Sequence, residues 1–354
     1  MSATSNSTPA RMGYRLPAEW EPHQAVWFSW PHNRESWPGK FETVEPVMTQ
    51  AVAAIQQSET VRINVLDAAH EAHVRGVLAA HRVSTNNLLF HHFPTNDAWC
   101  RDHGAIFVVR EQAGRRELAA THWDYNAWGD KYPPFDRDQE IPRRMAEALA
   151  VPRFEGGMVL EGGSIETNGA GTLLTTEQCL LNSNRNPGMS RAEIEQRLRD
   201  FLGVQTILWL GEGIVGDDTD GHIDDLTRFV AEDTVVTVVE DDPTDANYAV
   251  LQDNLRRLKT MRLPGGRSLN IINLPMPEPV IYDGQRLPAS YANFYTGNTV
   301  VLTPVFNCAQ DARALSILEQ CFPGRRVVGI DCTDLVWGLG AFHCLTQQVP
   351  ATGR

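Results

Sequence analysis

Short apolar segments alternate with amphipathic segments along the chain, and this alternation restricts the fold more than any other feature of the sequence. The apolar segments are bounded by Gly, Pro, Asn or Asp, as buried strands usually are. The predicted strands cover residues 61–66, 105–110, 172–176, 205–210, 234–240, 269–274, 299–304 and 326–330. Apolar residues at helical spacing predict helices over residues 44–57, 67–80, 141–150, 190–202, 245–259 and 309–321. The alternation predicts an α/β fold, with either an open doubly wound sheet or a closed, propeller-like arrangement of sheets.

No linker interrupts this pattern, so we expect a single domain over residues 12–354. The first residues, 1–11, lack the apolar core of a signal peptide, and we expect them to form a short disordered tail. The boundaries of one helix are especially clear. Ser190 and Glu193 have the spacing of a capping box, and Gly203 is placed to end the same helix.

The charge balance restricts the partners of the protein. The formal net charge is −13, and we expect no nucleic-acid partner, because phosphate binding needs a basic face. A small cationic substrate suits an acidic protein better. No apolar run approaches the roughly 20 residues that a membrane span needs, so we expect no membrane partner. The six cysteines are scattered and lack zinc-site spacing, so we expect free thiols, no bound metal and a cytoplasmic location.

Polar residues concentrate in four clusters where a packed core would not place them, and these clusters are the candidate functional sites. They cover residues 96–102, 161–163, 216–225 and 342–348. The cluster at 216–225 has the composition of a calcium loop. However, aligning the loop glycine on Gly221 puts Gly216 and Thr227 at the two ends, where an EF-hand needs acids. This excludes an EF-hand and leaves a solvated acidic turn as the simplest alternative.

His222 and Asp224 favour chemistry over a plain acidic turn. They lie two residues apart at the start of a predicted strand, and extended backbone would point both side chains the same way. An imidazole beside a carboxylate suits proton transfer next to a cation. Trp99 and Asp102 offer an aromatic face and an acid to a planar cation. The alternatives are a core position for Trp99 and an ion pair of Arg101 with Asp102 or Asp97.

Cys344 and Glu161 are harder to assign from local sequence. A lone cysteine is usually a small buried hydrophobic residue, but Cys344 lies between a glycine-containing turn and the polar residues 346–348. Glu161 precedes two glycines, which allow close approach of the backbone but also fit an ordinary turn.

The four clusters, in this order, resemble the agmatine deiminase family of the guanidino-group-modifying, or pentein, superfamily. The resemblance extends over nearly the whole chain, from Gly13 to Gln348. Further matching segments are residues 126–129, 161–187 and 289–295. The resemblance implies a five-bladed, pseudo-symmetric α/β propeller (the pentein fold), built from ββαβ-like units with the site at its centre. It also implies hydrolysis of agmatine to N-carbamoylputrescine and ammonia, a step towards putrescine, without a cofactor.

The resemblance also implies roles for individual residues. Cys344 matches the nucleophile that forms a covalent S-amidino intermediate, and His222 matches the general acid and base. Asp102 and Asp224 match the carboxylates that hold the guanidinium, and Glu161 matches the acid that supports the histidine. Trp99 and Asp218 match positions beside the substrate tail. Relatives are often homodimers, although the sequence shows no interface pattern.

The segment before the proposed nucleophile departs from the family pattern. Well-known members have three glycines followed by Asn-Ile-His, whereas this chain has Trp-Gly-Leu-Gly-Ala-Phe-His over residues 337–343. Asp220 and Asp225 also stand where many relatives carry Asn. These departures leave a deiminase of another guanidine, such as peptidyl-arginine, as the main alternative. A non-catalytic guanidine binder and a cysteine hydrolase of amide bonds are further alternatives.

Overall fold

The computed structural model describes residues 7–352. Their α-helices are α1 (Phe41–Ile55), α2 (Ala68–Ala80), α3 (Cys100–His103), α4 (Ala127–Asp130), α5 (Ile141–Leu149), α6 (Glu177–Leu180), α7 (Arg191–Leu202), α8 (Tyr248–Thr260), α9 (Asp311–Cys321) and α10 (Phe342–Leu345). The six predicted helices correspond to α1, α2, α5, α7, α8 and α9, and every predicted boundary lies within three residues of the observed one. At α7, the side chain of Ser190 accepts from the amide of Glu193, and Gly203 adopts φ +65°, which confirms the predicted caps.

The strands fall into five sheets and one small hairpin. Their bounds are β1 (His23–Ser29), β2 (Thr60–Val65), β3 (Leu88–His92), β4 (Ile106–Gln112), β5 (Arg115–Asp124), β6 (Arg153–Val159), β7 (Glu166–Thr167), β8 (Thr172–Thr176), β9 (Thr206–Leu210), β10 (Thr227–Ala231), β11 (Thr234–Val239), β12 (Asn270–Pro275), β13 (Ile281–Tyr282), β14 (Gln285–Arg286), β15 (Tyr295–Thr296), β16 (Val300–Val305), β17 (Arg326–Asp331) and β18 (Thr346–Pro350). All eight predicted strands are observed. The sequence did not predict several other strands, such as the central strand β5 and the outer strand β6 of one sheet, whose alanine, glycine and charged residues have low strand propensity.

Each of the five sheets follows the same plan. Its first strand pairs antiparallel with the second, and the second pairs parallel with the third across a helical connection. The helices α1, α5, α7, α8 and α9 form these connections, and α5, α8 and α9 pack against β5, β11 and β17. One sheet joins the two ends of the chain, because β18 supplies the first strand beside β1. The predicted α/β fold of repeated ββαβ-like units is confirmed.

Five short segments, one before the first strand of each sheet, meet at the centre of the molecule. Helix α3 contacts both α10 and the 3-10 turn at 162–164, which in turn contacts the 3-10 turn at 223–225. Asn293 donates to Asp225 at 2.9 Å and to the sulfur of Cys344 at 3.0 Å. The contacts therefore run from one sheet to the next and return to the first, as a closed ring of five units requires.

The N-terminal boundary differs from the prediction. Residues 1–6 of the predicted tail lie outside the described residues. Residues Ala10–Met12 form a 3-10 helix that contacts α7, so the predicted disorder is wrong for residues 10 and 11. Met12 and the buried Tyr14 pack against the apolar cluster under α7, and this burial orders the turn.

Within residues 7–352, no helix has both the length and the apolar character needed to cross a membrane. The prediction of one domain over residues 12–354 stays a prediction.

Candidate active site

Gly163 allows three of the predicted site residues to meet. A Cβ atom at this position would lie 2.6 Å from Nδ1 of His222, 2.8 Å from Oδ1 of Asp102 and 2.9 Å from Oδ2 of Asp224. No side chain fits such distances, so only glycine permits this approach. The two glycines after Glu161 therefore serve the close packing of the site, as the sequence suggested.

Asp102 is held by two neutral donors. Its Oδ1 accepts from the amide of Gly163 at 2.9 Å, and its Oδ2 accepts from the indole N–H of Trp128 at 3.0 Å. A run of left-handed backbone presents this indole, with φ +49° at Ala127 and +58° at Trp128. Burial raises the pKa of Asp102 to about 6; the nearby acids add to this shift, whereas His222 opposes it.

Asp224 is held by a buried imidazole. Its Oδ2 accepts from Nδ1 of His343 at 2.7 Å and lies 3.7 Å from the sulfur of Cys344. Its Oδ1 is buried and has no hydrogen-bond partner among the described residues. Burial alone would raise the pKa of Asp224, but the hydrogen bond and charge of His343, together with the charge of His222, bring it below its ordinary value.

His222 is fully buried beside these acids. Its Nδ1 lies 3.8 Å from Oδ1 of Asp102, and neither ring nitrogen has a hydrogen-bond partner within residues 7–352. Burial alone would lower the pKa of His222, but the charge of Asp102, the thiol of Cys179 and the charge of Asp224 raise it well above its ordinary value. The ring is therefore suited to carry a proton that it can donate.

Glu161 lies next to His222 and is bound by a buried arginine. Arg185 donates from Nε to Oε1 of Glu161 at 2.6 Å, whereas Oε2 has no partner in the described part of the chain. Glu161, Cys179 and His222 bring three possible metal-ligand atoms within 4.8 Å of one another. The fixed charge of Arg185 opposes a metal cation at this place.

Cys344 lies on α10 with its sulfur against Asn293. The side-chain N–H of Asn293 donates to the sulfur at 3.0 Å. The side-chain oxygen of Asn293 accepts from the backbone amides of His343 and Cys344. Burial raises the pKa of the Cys344 thiol well above its ordinary value, and Asp224, Asp225 and Asp102 raise it further. A cation bound between these acids would cancel their effect and favour the thiolate.

A cleft of about 760 Å³ leads to this group, and its lining includes Trp99, Asp102, Asp218 and Cys344. Trp99 packs against Trp37 with ring centroids 5.3 Å apart, so it belongs both to the core and to the cleft wall. Asp218 is half-buried and accepts a hydrogen bond from the hydroxyl of Tyr132. The cleft therefore has carboxylates near the sulfur and further carboxylates, including that of Asp218, along its wall.

Comparison with known proteins supports the resemblance found in the sequence. Residues 15–350 match the family model of the Porphyromonas-type peptidyl-arginine deiminases. The chain is 37% identical to an agmatine deiminase of Ectopseudomonas mendocina, and the match covers 98% of each chain. It is 36% identical to an agmatine deiminase of Pseudomonas aeruginosa, again over 98% of each chain. A solved structure of the agmatine deiminase of Enterococcus faecalis superposes with a TM-score of 0.92 at 32% identity and covers 99% of each chain.

This chain belongs to the Porphyromonas-type peptidyl-arginine deiminase family. The members it matches include agmatine deiminases, and the fold is the pentein fold. The chain is therefore an enzyme that acts on the C–N bonds of amidines.

The structure brings together the residues that the sequence singled out as this family's site. Asp102, His222, Asp224 and Cys344 lie in mutual proximity, and Glu161 adjoins His222. Their catalytic roles stay predictions. The local geometry differs from the expectation in one respect. Asp224 does not lie on extended backbone, because Ile223–Asp225 form a 3-10 turn directly after His222.

The alternative ion pair of Arg101 with Asp102 or Asp97 is not formed among the described residues. Arg101 instead donates to the carbonyl of His343 at 3.2 Å and to the side chain of Gln348 at 2.6 Å. Because the Arg101 side chain points away from the cleft, Asp102 is left to line it. The two residues lie on one turn of α3, so they project to different sides.

Sequence reasoning missed three residues that complete the site in this family member. Asn293 contacts the thiol, Trp128 holds Asp102, and His343 holds Asp224. Trp128 and Asn293 lie in segments that match the family, and His343 lies in the polar cluster at 342–348, but the residue types gave no local sign of a role. Only long-range contacts identify them.

The segment at 337–343, which departs from the family pattern, forms part of the cleft mouth. Trp337 packs against Tyr282 with ring centroids 4.5 Å apart. Leu339 lines the cleft with φ +70°, a backbone region that favours glycine. An apolar side chain therefore stands where the family's usual pattern would leave open space.

Proposed function

We propose that this chain hydrolyses agmatine to N-carbamoylputrescine and ammonia through a covalent intermediate on Cys344. The observation that carries the proposal is the placement of the Cys344 sulfur 3.7 Å from Asp224, in a buried group that also contains Asp102 and His222. A guanidinium is a planar cation with several N–H donors, and two carboxylates can hold it by paired hydrogen bonds. The Oδ1 of Asp224, which has no hydrogen-bond partner within residues 7–352, offers such an acceptor.

Binding of the cation prepares the nucleophile. Because Asp224, Asp225 and Asp102 raise the pKa of the Cys344 thiol, neutralising their charge lowers that pKa and releases the thiol proton. The thiolate is then held by the amide of Asn293 next to the guanidinium carbon. Fixing both reacting atoms converts the attack into an intramolecular step.

His222 supplies the proton transfers in both halves of the reaction. The thiolate adds to the guanidinium carbon and gives a tetrahedral adduct, and protonated His222 donates to the departing nitrogen, which leaves as ammonia. The remaining intermediate is an S-amidino cysteine that carries the substrate tail. Neutral His222 then removes a proton from water, and the hydroxide adds to the same carbon. The C–S bond breaks, the hydroxyl proton of the adduct passes to the departing sulfur, and the ureido product and the free thiol result. Glu161 supports the histidine, with its own charge balanced by Arg185.

The wall of the cleft offers a binding place for the tail of the substrate. Agmatine ends in an amine, and Asp218 offers a carboxylate along the cleft at the side of Trp99. Asp218 already accepts from Tyr132, so its carboxylate is oriented before substrate binds. An ammonium group there gains a charge-assisted hydrogen bond.

Mass spectrometry after rapid quenching tests this mechanism. We expect the peptide that carries Cys344 to gain the mass of agmatine less ammonia, and the solution to contain a ureido product. The variant Cys344→Ala should bind agmatine but give neither signal, and Cys308→Ala should behave as wild type. Folded protein that gives no ureido product from agmatine would overturn the proposal.

A second candidate substrate is a guanidine with a carboxylate or amide tail, such as peptidyl-arginine. The observation in its favour is that Arg137, a cation, also lines the cleft. A panel of agmatine, free arginine and arginine-containing peptides separates the candidates by kcat/KM. If the protein prefers peptides, and if Arg137→Ala abolishes that preference, then arginine-containing peptides and not agmatine are the substrate.

A cytoplasmic location and a homodimer are part of the same proposal. They rest on the scattered cysteines and on the family resemblance. Light scattering on the purified protein tests the dimer, and a monomer at assay concentration would contradict it.

A further inference from the structure

His343 directly precedes Cys344 in the chain, but the two residues line different cavities. Cys344 lines the large cleft, whereas His343 lines a separate cavity of about 40 Å³ together with Glu19, Arg101 and Gln348. Within residues 7–352 the two cavities share no lining residue. The imidazole therefore lies behind the reacting groups rather than among them.

Both nitrogens of this buried ring face carboxylates. Nδ1 lies 2.7 Å from Oδ2 of Asp224, and Nε2 lies 2.8 Å from Oε2 of Glu19. An ionised carboxylate can only accept hydrogen bonds, so both ring nitrogens must donate, and the ring then carries a positive charge. His343 thus joins two acids that are 205 residues apart in the chain, from position 19 to position 224.

Glu19 is fixed as the far end of this bridge. Its Oε2 accepts from Nη2 of Arg228 at 2.8 Å, and its Oε1 accepts from the amide of Thr296 at 2.7 Å. Burial alone would raise the pKa of Glu19, but Arg228 and His343 lower it well below its ordinary value. Glu19 therefore stays ionised and holds the ring in one orientation.

The wider network is balanced in charge. It contains three acids and three cations, namely Glu19, Glu166, Asp224, Arg101, Arg228 and His343. Arg228 also donates to the carbonyls of Ala292 and Phe294, which flank Asn293. The same network therefore supports Asp224 on one side and the residue that contacts the thiol on the other.

We propose that His343 is a positioning residue, which holds Oδ2 of Asp224 so that Oδ1 is presented to the substrate guanidinium. The inference rests on the proposed hydrolysis of a guanidine by this site. Without the imidazole, the Asp224 carboxylate is free to rotate, and its charge loses its nearest partner. The guanidinium would then meet a carboxylate of the wrong orientation, so substrate binding would weaken.

Agmatine binding to catalytically inactive protein measures this effect without turnover. In a Cys344→Ala background, we expect His343→Gln to raise the Kd of agmatine by about 30-fold or more, because a buried charge pair is broken. The matched control is His23→Gln. His23 is a buried histidine 3.2 Å from the carboxylate of the buried Glu59, and none of its hydrogen bonds reaches Asp224. We expect this control to lower the melting temperature but to change the Kd by less than about twofold.

A double-variant cycle shows whether His343 acts through Asp224. Once Asp224→Asn has removed the carboxylate charge, adding His343→Gln should weaken binding by less than about threefold, well below its effect in the presence of Asp224. Ligand-observed NMR extends the measurement to weak binding. Independent, multiplying effects of the two changes would overturn the inference and would indicate a merely structural histidine.

Glu19→Gln gives a second route if His343→Gln does not fold. It leaves the imidazole in place but removes the acid that orients it, so we expect a smaller increase in Kd, about fivefold. A wild-type Kd in whichever of these variants folds would overturn the inference. Failure of the proposed function is a separate outcome, because wild-type protein would then give no product from agmatine.

Discussion

Asp102 and Asp224 have the same predicted task but opposite environments. Asp102 accepts from two neutral donors, and its pKa is raised to about 6. Asp224 accepts from a buried imidazole, and its pKa is lowered. Two carboxylates this close repel each other, and the protein relieves the repulsion by making one of them easy to protonate. The difference shows that a pair of acids around one cation need not be equivalent.

The largest expected effect comes from neutralising each acid in turn. We expect Asp102→Asn to lower kcat/KM by about 100-fold and Asp224→Asn by about 1000-fold, since the second change also removes one of the two carboxylates that pair with His343. Steady-state kinetics with agmatine measures both losses. Asp218→Asn, farther along the cleft, should raise KM by about tenfold at most. Equal losses at Asp102 and Asp224 would show that the two acids are equivalent after all.

The same two variants should shift stability in opposite directions. The raised pKa of Asp102 means that its ionised form costs stability, so Asp102→Asn should stabilise the fold at pH 8 by about 1–3 kcal/mol. Most of this gain should be lost at pH 4, where the carboxyl is neutral in the folded chain and, with an ordinary pKa of about 4, only partly ionised in the unfolded chain. Asp224→Asn should destabilise the fold at pH 8, because the lowered pKa contributes stability above pH 4 that is lost as the pH falls. Denaturant unfolding at both pH values measures these shifts, and shifts of the same sign would contradict the comparison.

The pH profile should report Asp102 and not Asp224. Because the pKa of Asp102 is about 6, we expect kcat/KM to fall by about tenfold per pH unit below pH 6, as the acid becomes neutral and releases the guanidinium. Asp224 stays ionised over this range. The measurement is kcat/KM from pH 4.5 to 8 with buffers of constant ionic strength. If kcat/KM of Asp102→Asn still falls below pH 6, the group that titrates there is not Asp102.

The smallest expected effect concerns the donor to Asp102. Trp128→Phe keeps an aromatic ring but removes the indole N–H, and we expect KM to rise by about tenfold. The acid limb should also move to higher pH, because the ionised form of Asp102 loses a hydrogen bond. Trp123→Phe is the control, since its indole donates to Thr121, a residue of strand β5 outside the candidate site. Unchanged KM and pH profile in Trp128→Phe would show that the indole does not hold Asp102 in solution.

The sequence by itself determined the elements and most of the candidate site. Helical and strand spacing located the long helices and eight of the strands, because those patterns reflect which face of each segment is buried. The polar clusters stood out because burying charged side chains next to buried strands costs free energy unless they bind a partner. The family resemblance then assigned Cys344, His222 and the surrounding acids.

Only the tertiary structure decided how these parts meet. The pairing of β18 with β1 closes the ring of sheets, and it joins residues more than 300 positions apart. The same long-range packing brings Glu19 to His343, and thereby makes Asp224 differ from Asp102. Protonation and orientation depend on neighbours in space, and no local pattern encodes neighbours supplied by the opposite end of the chain.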